Sequence, residues 1–429
     1  MSRTGHENTQ RGLTVFLCML LFLNSENVYF KRSDTFSALF EIILIATCII
    51  YICVNKFYKK INQKNCILLL LMSLVYIITI ISIYAANIED SSVGNTLQKL
   101  AILGILLPLL ILIFTRLGYP STLRTIIHIY INIAAAVSFF GLFLWLLFNL
   151  GIHLPSIQTS YQWGGSKIGT GILGLTFDVQ YSDIQFAKGW SRYTLFYIEG
   201  GIAAAYFGLA GILESTCNPQ PRMPIILMFT ICTFCTLSGF GMIFAPIVLC
   251  IGLLCSGHLR KLSQKNMIAF AFAKGIIPLI VLITPIIILT LFSQKTNEDS
   301  IIAHSNDFTY GFGVFLDRPI LGYGIGNYAP LVNTIDGISG TSSSLMIGLI
   351  QGGLIYVLAM LFPFICASIL AIANHQYRVA VLFATLLLLY INGISDNSPM
   401  YVCMMALAYA YIYQITATVR IHTRRTITV

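Results

Sequence analysis

The chain has 429 residues, of which 57% are hydrophobic and 10% charged, with a formal net charge of +9. A soluble domain is about a quarter charged, so one aqueous core cannot hide this much apolar surface, and a soluble enzyme is excluded. The positive charges are scattered rather than gathered on one face, which excludes a nucleic-acid partner and fits membrane topology instead.

A membrane crossing needs about 20 apolar residues, and the sequence supplies many such runs between short polar breaks. The expectation is an all-α polytopic membrane protein, residues 1–429 forming a single integral membrane domain of about twelve helices. In chain order these fall near 13–30, 35–54, 66–85, 98–115, 125–150, 193–213, 224–238, 241–256, 267–292, 344–370, 378–394 and 400–417. Arg3 and Arg11 precede the apolar stretch Leu13–Leu23, and Asn24-Ser25-Glu26-Asn27 follows it without a small-x-small site. A retained first helix is therefore expected rather than a cleaved signal peptide. The run 224–256 is too long for one span and breaks at Ser238-Gly239-Phe240-Gly241, which reads as a tight turn between two short helices. No internal repeat and no low-complexity tract interrupts the pattern.

Sixteen lysines and arginines lie on one set of connections, among them Lys59, Lys60, Arg116, Arg222, Arg260 and Arg378, against eight on the other. Both termini are therefore expected in the cytoplasm. Glu89, Asp90, Asp178, Asp183, Asp307, Asp317, Asp336 and Asp396 collect on the opposite side. None of the eleven cysteines falls in an exterior segment, so no disulfide framework is expected. Cys232 and Cys235 form a C-x-x-C inside an apolar helix, where neither redox nor metal chemistry is expected.

Two exterior segments, about 151–192 and about 293–343, are too long for simple connections. Tyr161, Trp163, Phe177, Tyr181, Phe186 and Trp190 in the first, and Phe308, Tyr310, Phe312, Phe315, Tyr323 and Tyr328 in the second, imply short structured elements on the membrane face. These rings serve either as an interfacial belt or as sugar-stacking platforms.

The most informative stretch is Trp190-Ser191-Arg192-Tyr193-Thr194-Leu195-Phe196-Tyr197-Ile198-Glu199-Gly200. With the helix starting near 193, Arg192 and Glu199 are two turns apart on one face, about 10 Å. A glutamate in the apolar phase must face protein or a water-filled cavity. Either Glu199 pairs structurally with Arg192, Lys188 or a buried hydroxyl, or Arg192 grips an anion while Glu199 orients it or takes a proton. Gly200, Ala204 and Gly208 form a small-residue packing seam.

The second stretch is Asp317-Arg318-Pro319-Ile320-Leu321-Gly322-Tyr323-Gly324-Ile325-Gly326-Asn327-Tyr328. Its glycines superficially match a dinucleotide fingerprint, but the exterior location argues against one. Close glycines let the backbone turn tightly beside a ligand, and the Arg318 guanidinium suits phosphate oxygens. An ordinary interfacial arginine is the simpler account. Asp336, His304 and Asp307 are titratable groups that could act as a general base. The hydroxyls Ser339, Thr341, Ser342, Ser343 and Ser344 complete the loop, and Lys274 snorkels from an apolar helix.

In this order the stretches resemble the O-antigen polymerase and O-antigen ligase superfamily of bacterial membrane glycosyltransferases, over roughly residues 130–417. The resemblance rests on Arg192-x-x-x-Phe196-x-x-Glu199-Gly200, Thr236-Leu237-Ser238-Gly239 and Arg318-Pro319-x-x-Gly322-x-Gly324-x-Gly326-Asn327-Tyr328. It also rests on the hydroxyl-rich start of the next helix, with Gln351-Gly352-Gly353-Leu354-Ile355 two turns in.

The resemblance implies a GT-C-like fold, no cofactor, and a metal-independent, inverting glycosyl transfer on the outer face of the inner membrane. The donor it implies is an oligosaccharide on undecaprenyl diphosphate, amid membrane lipids. Candidate catalytic residues are then Glu199, Asp336 and His304, and candidate substrate-binding residues are Arg192, Arg318, Lys188, Tyr323, Asn327 and Ser343.

Two departures matter. Ligases of the superfamily usually carry a histidine where this chain has Ser342-Ser343-Ser344, which favours a Wzy-type polymerase over a ligase. Many members carry an arginine where this chain has Gly239, so Lys188, Lys167 or Arg318 would have to complete the diphosphate site. A twelve-helix transporter is the alternative from another class. The sugars, the linkage and the binding of a chain-length regulator stay open.

Overall fold

A computed structural model describes residues 3–23, 26–57, 63–116, 120–162, 166–178, 180–182, 187–256, 309–327, 329–332, 343–392 and 398–427. The protein is mostly helical and membrane-embedded. Among the described residues, five helices are long and apolar enough to cross a membrane: Thr35–Val54, Cys66–Ala86, Val93–Thr115, Leu123–Asn149 and Ser344–Ala373. Shorter apolar helices are Thr9–Leu23, Met223–Cys235, Gly239–Cys255 and Tyr377–Ile391. On the second span Ile67, Leu70, Leu71, Leu74 and Ile78 all point outward, a surface that lipid solvates and water does not.

The first helix, α1, runs Arg3–Leu23 rather than 13–30. It stops early because the backbone beyond it is taken by a distant segment. Asn27 forms an antiparallel bridge with Tyr197, and the Val28 N–H donates to the Phe196 carbonyl at 2.8 Å. Next come α2 (Asp34–Val54), capped by Ser33, and α3 (Gln63–Ala86).

The span expected from 98 starts earlier. Ser92 caps α4 (Val93–Lys99), a π-helical stretch covers Leu100–Leu106, and α5 (Leu107–Arg116) continues the path. Pro108 offers no N–H to the carbonyl of Gly104 four residues back. Ser73 Oγ takes its place, donating to that carbonyl at 2.6 Å. α6 (Pro120–Asn149) ends on Gly151 at φ +80°. The Gly151 and Ile152 N–H groups donate to the Phe148 and Leu147 carbonyls at 3.0 Å each, a Schellman closure.

The structured elements expected within 151–192 are strands, which amends the all-α expectation. β1 (Ser156–Gln162), β2 (Ser166–Ile172) and β3 (Thr176–Asp178) form one antiparallel sheet in that order. Tyr29 Oη donates to the Gly174 carbonyl and ties the sheet to the α1–α2 connection.

The helix expected from 193 does not begin there. α7 is Gly200–Cys217, so Arg192 and Glu199 share no helix face. α8 (Met223–Cys235) and α9 (Gly239–Cys255) are the two short helices of the broken run, and both pack on α7. Close packing needs the small residues of α7: a methyl group on Gly208 would overlap the Phe244 ring.

At the far end of α7, Glu214 is fully buried. It accepts from Asn218 Nδ2 at 2.8 Å and from the Arg222 backbone N–H, Nε and Nη2 at 2.7, 3.0 and 2.8 Å. Removing a partner strands a buried charge. Arg222→Ala is therefore expected to lower stability by about 2–3 kcal/mol, a half-exposed pair being worth less than a sealed one. Thermal unfolding in detergent checks this, and Glu214→Gln made together with Arg222→Ala should recover part of the loss.

In the second long segment, α10 spans 309–317, a glycine loop covers 318–327, and Ala329–Val332 makes a single turn. α11 (Ser344–Ala373), α12 (Tyr377–Asn392) and α13 (Pro399–Ile427) complete the chain. The helix expected over 267–292 lies outside the described residues. α11 is broken at Gly353, where φ is +66° and ψ −168°. The glycine loop fills the break with its own backbone. The Tyr323 N–H donates to the Ile350 carbonyl at 2.8 Å, Gly324 to Gln351 at 3.0 Å, and Leu354 to Pro319 at 2.8 Å. All eleven cysteines are free thiols.

Candidate functional site

Residues 190–199 form an irregular strap fixed from several directions. Trp145 Nε1 on α6 donates to the Ser191 carbonyl at 2.7 Å, and the Ser191 N–H donates to Asn149 Oδ1 at 2.8 Å. The Arg192 N–H reaches the Gln180 carbonyl at 2.8 Å, and the Tyr193 N–H reaches the Cys235 carbonyl at 3.0 Å. Tyr193 Oη donates to the Ser138 carbonyl at 2.8 Å, while its ring stacks on Phe207, centroids 5.1 Å apart. Leu195 follows at φ +53°, a left-handed conformation that a leucine holds only when its surroundings impose it. These contacts override the helical tendency of the apolar sequence.

The strap delivers Arg192 to the start of α7. A Cβ on Gly200 would lie 3.0 Å from the Thr236 carbonyl oxygen, 3.5 Å from Ser238 Cβ and 3.6 Å from Arg192 Cδ. The arginine stem, the first turn of α7 and the α8–α9 break thus meet at one point. Arg192 Nη1 donates to Gln180 Oε1 at 3.2 Å. Beside Gly200, Gly201 faces open space.

The break itself is tightly built. Leu237 sits at φ +47°, Thr236 Oγ1 donates to the Thr233 carbonyl at 2.8 Å, and Ser238 Oγ accepts from the Gly241 N–H at 2.9 Å. Two helices, α7 and α9, therefore begin here, each with glycines in its first turn. Helix N-termini carry partial positive charge and unpaired N–H groups. A guanidinium beside two of them is an arrangement suited to binding an anion.

Glu199 occupies the N-cap position of α7 in extended backbone, φ −154° and ψ 150°, and its side chain does not cap the helix. It is half-buried. Burial and the negative charge of Glu199 push the Tyr161 phenol on β1 up to about 12, so that hydroxyl stays protonated at neutral pH and available as a donor. Glu199→Gln removes the charge and is expected to lower the Tyr161 pKa. Titrating ring-labelled tyrosine by NMR, against Tyr161→Phe for assignment, reads this without any assay of activity.

A further carboxylate lies close to the strap. Glu26 is buried, its backbone carbonyl faces the Ile198 N–H at 3.4 Å, and Tyr206 Oη on α7 donates to Glu26 Oε2 at 3.1 Å. The same hydroxyl meets Ser398 Oγ at 2.6 Å, and Tyr206 stacks on Tyr197 with centroids 4.8 Å apart. Sequence reading took Glu26 as part of the polar stretch that follows the apolar run Leu13–Leu23. Nothing local marks it, because Tyr206, whose hydroxyl it accepts from, is 180 residues away.

The other expected residues divide. Lys188 stands on an exposed turn, outside the contacts that join Arg192, Gly200 and Ser238. Arg318 lies against the α3–α4 turn: Nη1 donates to Asn87 Oδ1 at 2.9 Å, and the guanidinium covers the Tyr323 ring at 4.6 Å. Gly322, Gly324 and Gly326 have φ of +63°, +104° and +79°, which only glycine adopts freely.

Asn327 braces this loop, its Nδ2 donating to the Tyr323 carbonyl at 3.1 Å and its Oδ1 accepting from the Ala329 N–H at 3.0 Å. Ser343 caps α11 and donates to the Ile391 carbonyl at 2.9 Å. Asp336 and His304 lie outside the described residues. No family model, curated protein or solved structure matches the chain.

Proposed function

We propose that the chain is a membrane glycosyltransferase that polymerises oligosaccharide repeats carried on undecaprenyl diphosphate. The observation that carries this reading is the meeting of Arg192, the first turn of α7 and the α8–α9 break around Gly200. In the proposed reaction an acceptor hydroxyl attacks the anomeric carbon with inversion. The bond from that carbon to the diphosphate oxygen breaks, and its electron pair passes to the diphosphate. Arg192 and the two helix ends would stabilise that growing charge, the role that preorganised donors play best. The acceptor proton would go to a carboxylate, and Glu199 is the candidate beside the grip.

The proposed topology has twelve spans in a bacterial inner membrane with both termini cytoplasmic, supported by the sixteen-to-eight division of lysine and arginine. α7 and α9 then begin at the outer face, where the lipid-linked donor would be presented. Transfer of finished polymer to a lipid A core is the near alternative, disfavoured by serines at 342–344 where a ligase would show histidine.

One observation favours transport: Lys99 is buried, donating to Tyr356 Oη at 2.7 Å, and the neighbouring Gln98 donates to buried Glu41 at 2.5 Å. Transport sites gather near the bilayer midplane. Lys99 follows Val93 by six residues and Glu41 follows Asp34 by seven, only ~10 Å into their helices.

The test is purified protein in detergent with a short polyprenyl-diphosphate repeat unit from the native host, products resolved on a gel. A ladder supports polymerisation. Competent substrate without a ladder defeats it, and transfer to a lipid A core and then transport become the assays to run.

A further inference from the structure

The sheet formed by β1–β3 has an apolar base. Leu150, Ile152, Ile157 and Leu173 are 63, 46, 64 and 56% exposed. The chain brings them together: Ile152 completes the closure of α6, the Leu173 N–H donates to the Pro155 carbonyl at 3.1 Å, and Ile157 pairs with Gly171 across β1 and β2. Below them the exposed Phe139, Phe143 and Leu146 lead up α6 to Leu150, a 4-3-4 spacing that keeps one helix face. Because α6 contains a membrane-length span, that face meets lipid. Exposed apolar residues thus continue past the end of the helix.

Leu173 adds a second, independent observation. Its φ is +50° and that of Gly174 is +67°, and the Leu175 N–H donates to the Ile172 carbonyl at 3.1 Å. A turn with both central residues left-handed favours Asn-Gly. A leucine there is unfavourable in its backbone and, in water, in its side chain as well. An apolar surrounding removes the second penalty and accounts for the residue type.

We propose that the base of this sheet, through Leu150, Ile152, Ile157 and Leu173, is seated in the headgroup–acyl boundary of the leaflet at the C-terminal end of α6. The partner is the bilayer itself, since the patch is continuous with a lipid-facing helix. Trp190, which packs edge-on against Trp145 of α6 with centroids 5.8 Å apart, and the exposed Tyr181 supply the aromatic flank common at such boundaries. Further along β1, Thr159 and Tyr161 are buried, and Tyr161 feels Glu199. One face of β1 thus runs from Ile157 at the seated base to Tyr161 beside Glu199. This inference needs the membrane but not the glycosyl-transfer chemistry.

The test places a tryptophan at the base. Full-length Leu173→Trp, made in a background carrying Trp163→Phe and Trp190→Phe, is reconstituted in nanodiscs of ordinary or dibrominated phosphatidylcholine. The parent background supplies the Trp145 signal for subtraction. Expected is a blue-shifted extra emission, lost in the brominated discs and insensitive to aqueous iodide. Quenching by iodide with no loss to bromine would overturn the seating. Insensitivity to both would also overturn it, since protein would then cover the patch. Ile157→Trp, read in the same way, decides the matter if the Leu173 variant does not fold.

Discussion

Arg192→Ala is expected to stop polymer formation while leaving the protein folded. The guanidinium brings a full positive charge to the point where α7 and α9 begin, its stem packed on Gly200. Losing one preorganised donor to a charge that grows in the transition state costs about 100- to 1,000-fold in kcat. On a gel that is the disappearance of the ladder at matched enzyme concentration. Folding should survive, because the strap is held chiefly by backbone groups and by Trp145, Asn149 and Tyr193 rather than by the guanidinium.

Arg192→Lys keeps the charge but loses the planar fork, so an intermediate loss is expected. Size-exclusion profiles of all three proteins separate chemistry from misfolding. A wild-type ladder from Arg192→Ala would move the leaving-group site elsewhere, with Arg318 the next arginine to replace.

Gly353→Ala should have the largest effect on stability. The φ of +66° with ψ −168° is a region essentially reserved for glycine. A methyl group would also overlap the Ile320 carbonyl that the loop inserts into the break. Backbone strain and overpacking together are expected to cost about 2–5 kcal/mol. The damage should spread to the glycine loop, because the loop's bonds to Ile350, Gln351 and Leu354 all run through the break. A lowered melting temperature in detergent, with faster hydrogen exchange at Tyr323 and Gly324, is the expected signature. Gly201→Ala, where a methyl group meets open space, is the control and should change stability little.

Much of the architecture was legible in the chain. Apolar runs of membrane length marked the five described helices that are long enough to cross a membrane, because a helix in lipid must be long and continuously apolar whatever surrounds it. The α8–α9 break was readable from Ser238-Gly239-Phe240-Gly241, and the structured character of 151–192 from its aromatics among glycines and polar residues. Arg192, Glu199 and Arg318 stood out because charge is rare in such a sequence. These features are local, and local chemistry decides them.

The start of α7, the break in α11 and the place of Glu26 were decided elsewhere. Residues 193–199 are apolar enough to read as helix. Their backbone is instead bound by Cys235 and residues 26–28, partners that no window of neighbouring sequence contains. α11 reads as a continuous span, and only the loop inserted from 319–324 makes Gly353 a break. Composition and periodicity set which segments enter the membrane, since each must satisfy its own backbone there. Which charges meet was left to tertiary structure, because hydrogen bonds between distant strands, caps and loops outweigh the small preferences of single residues.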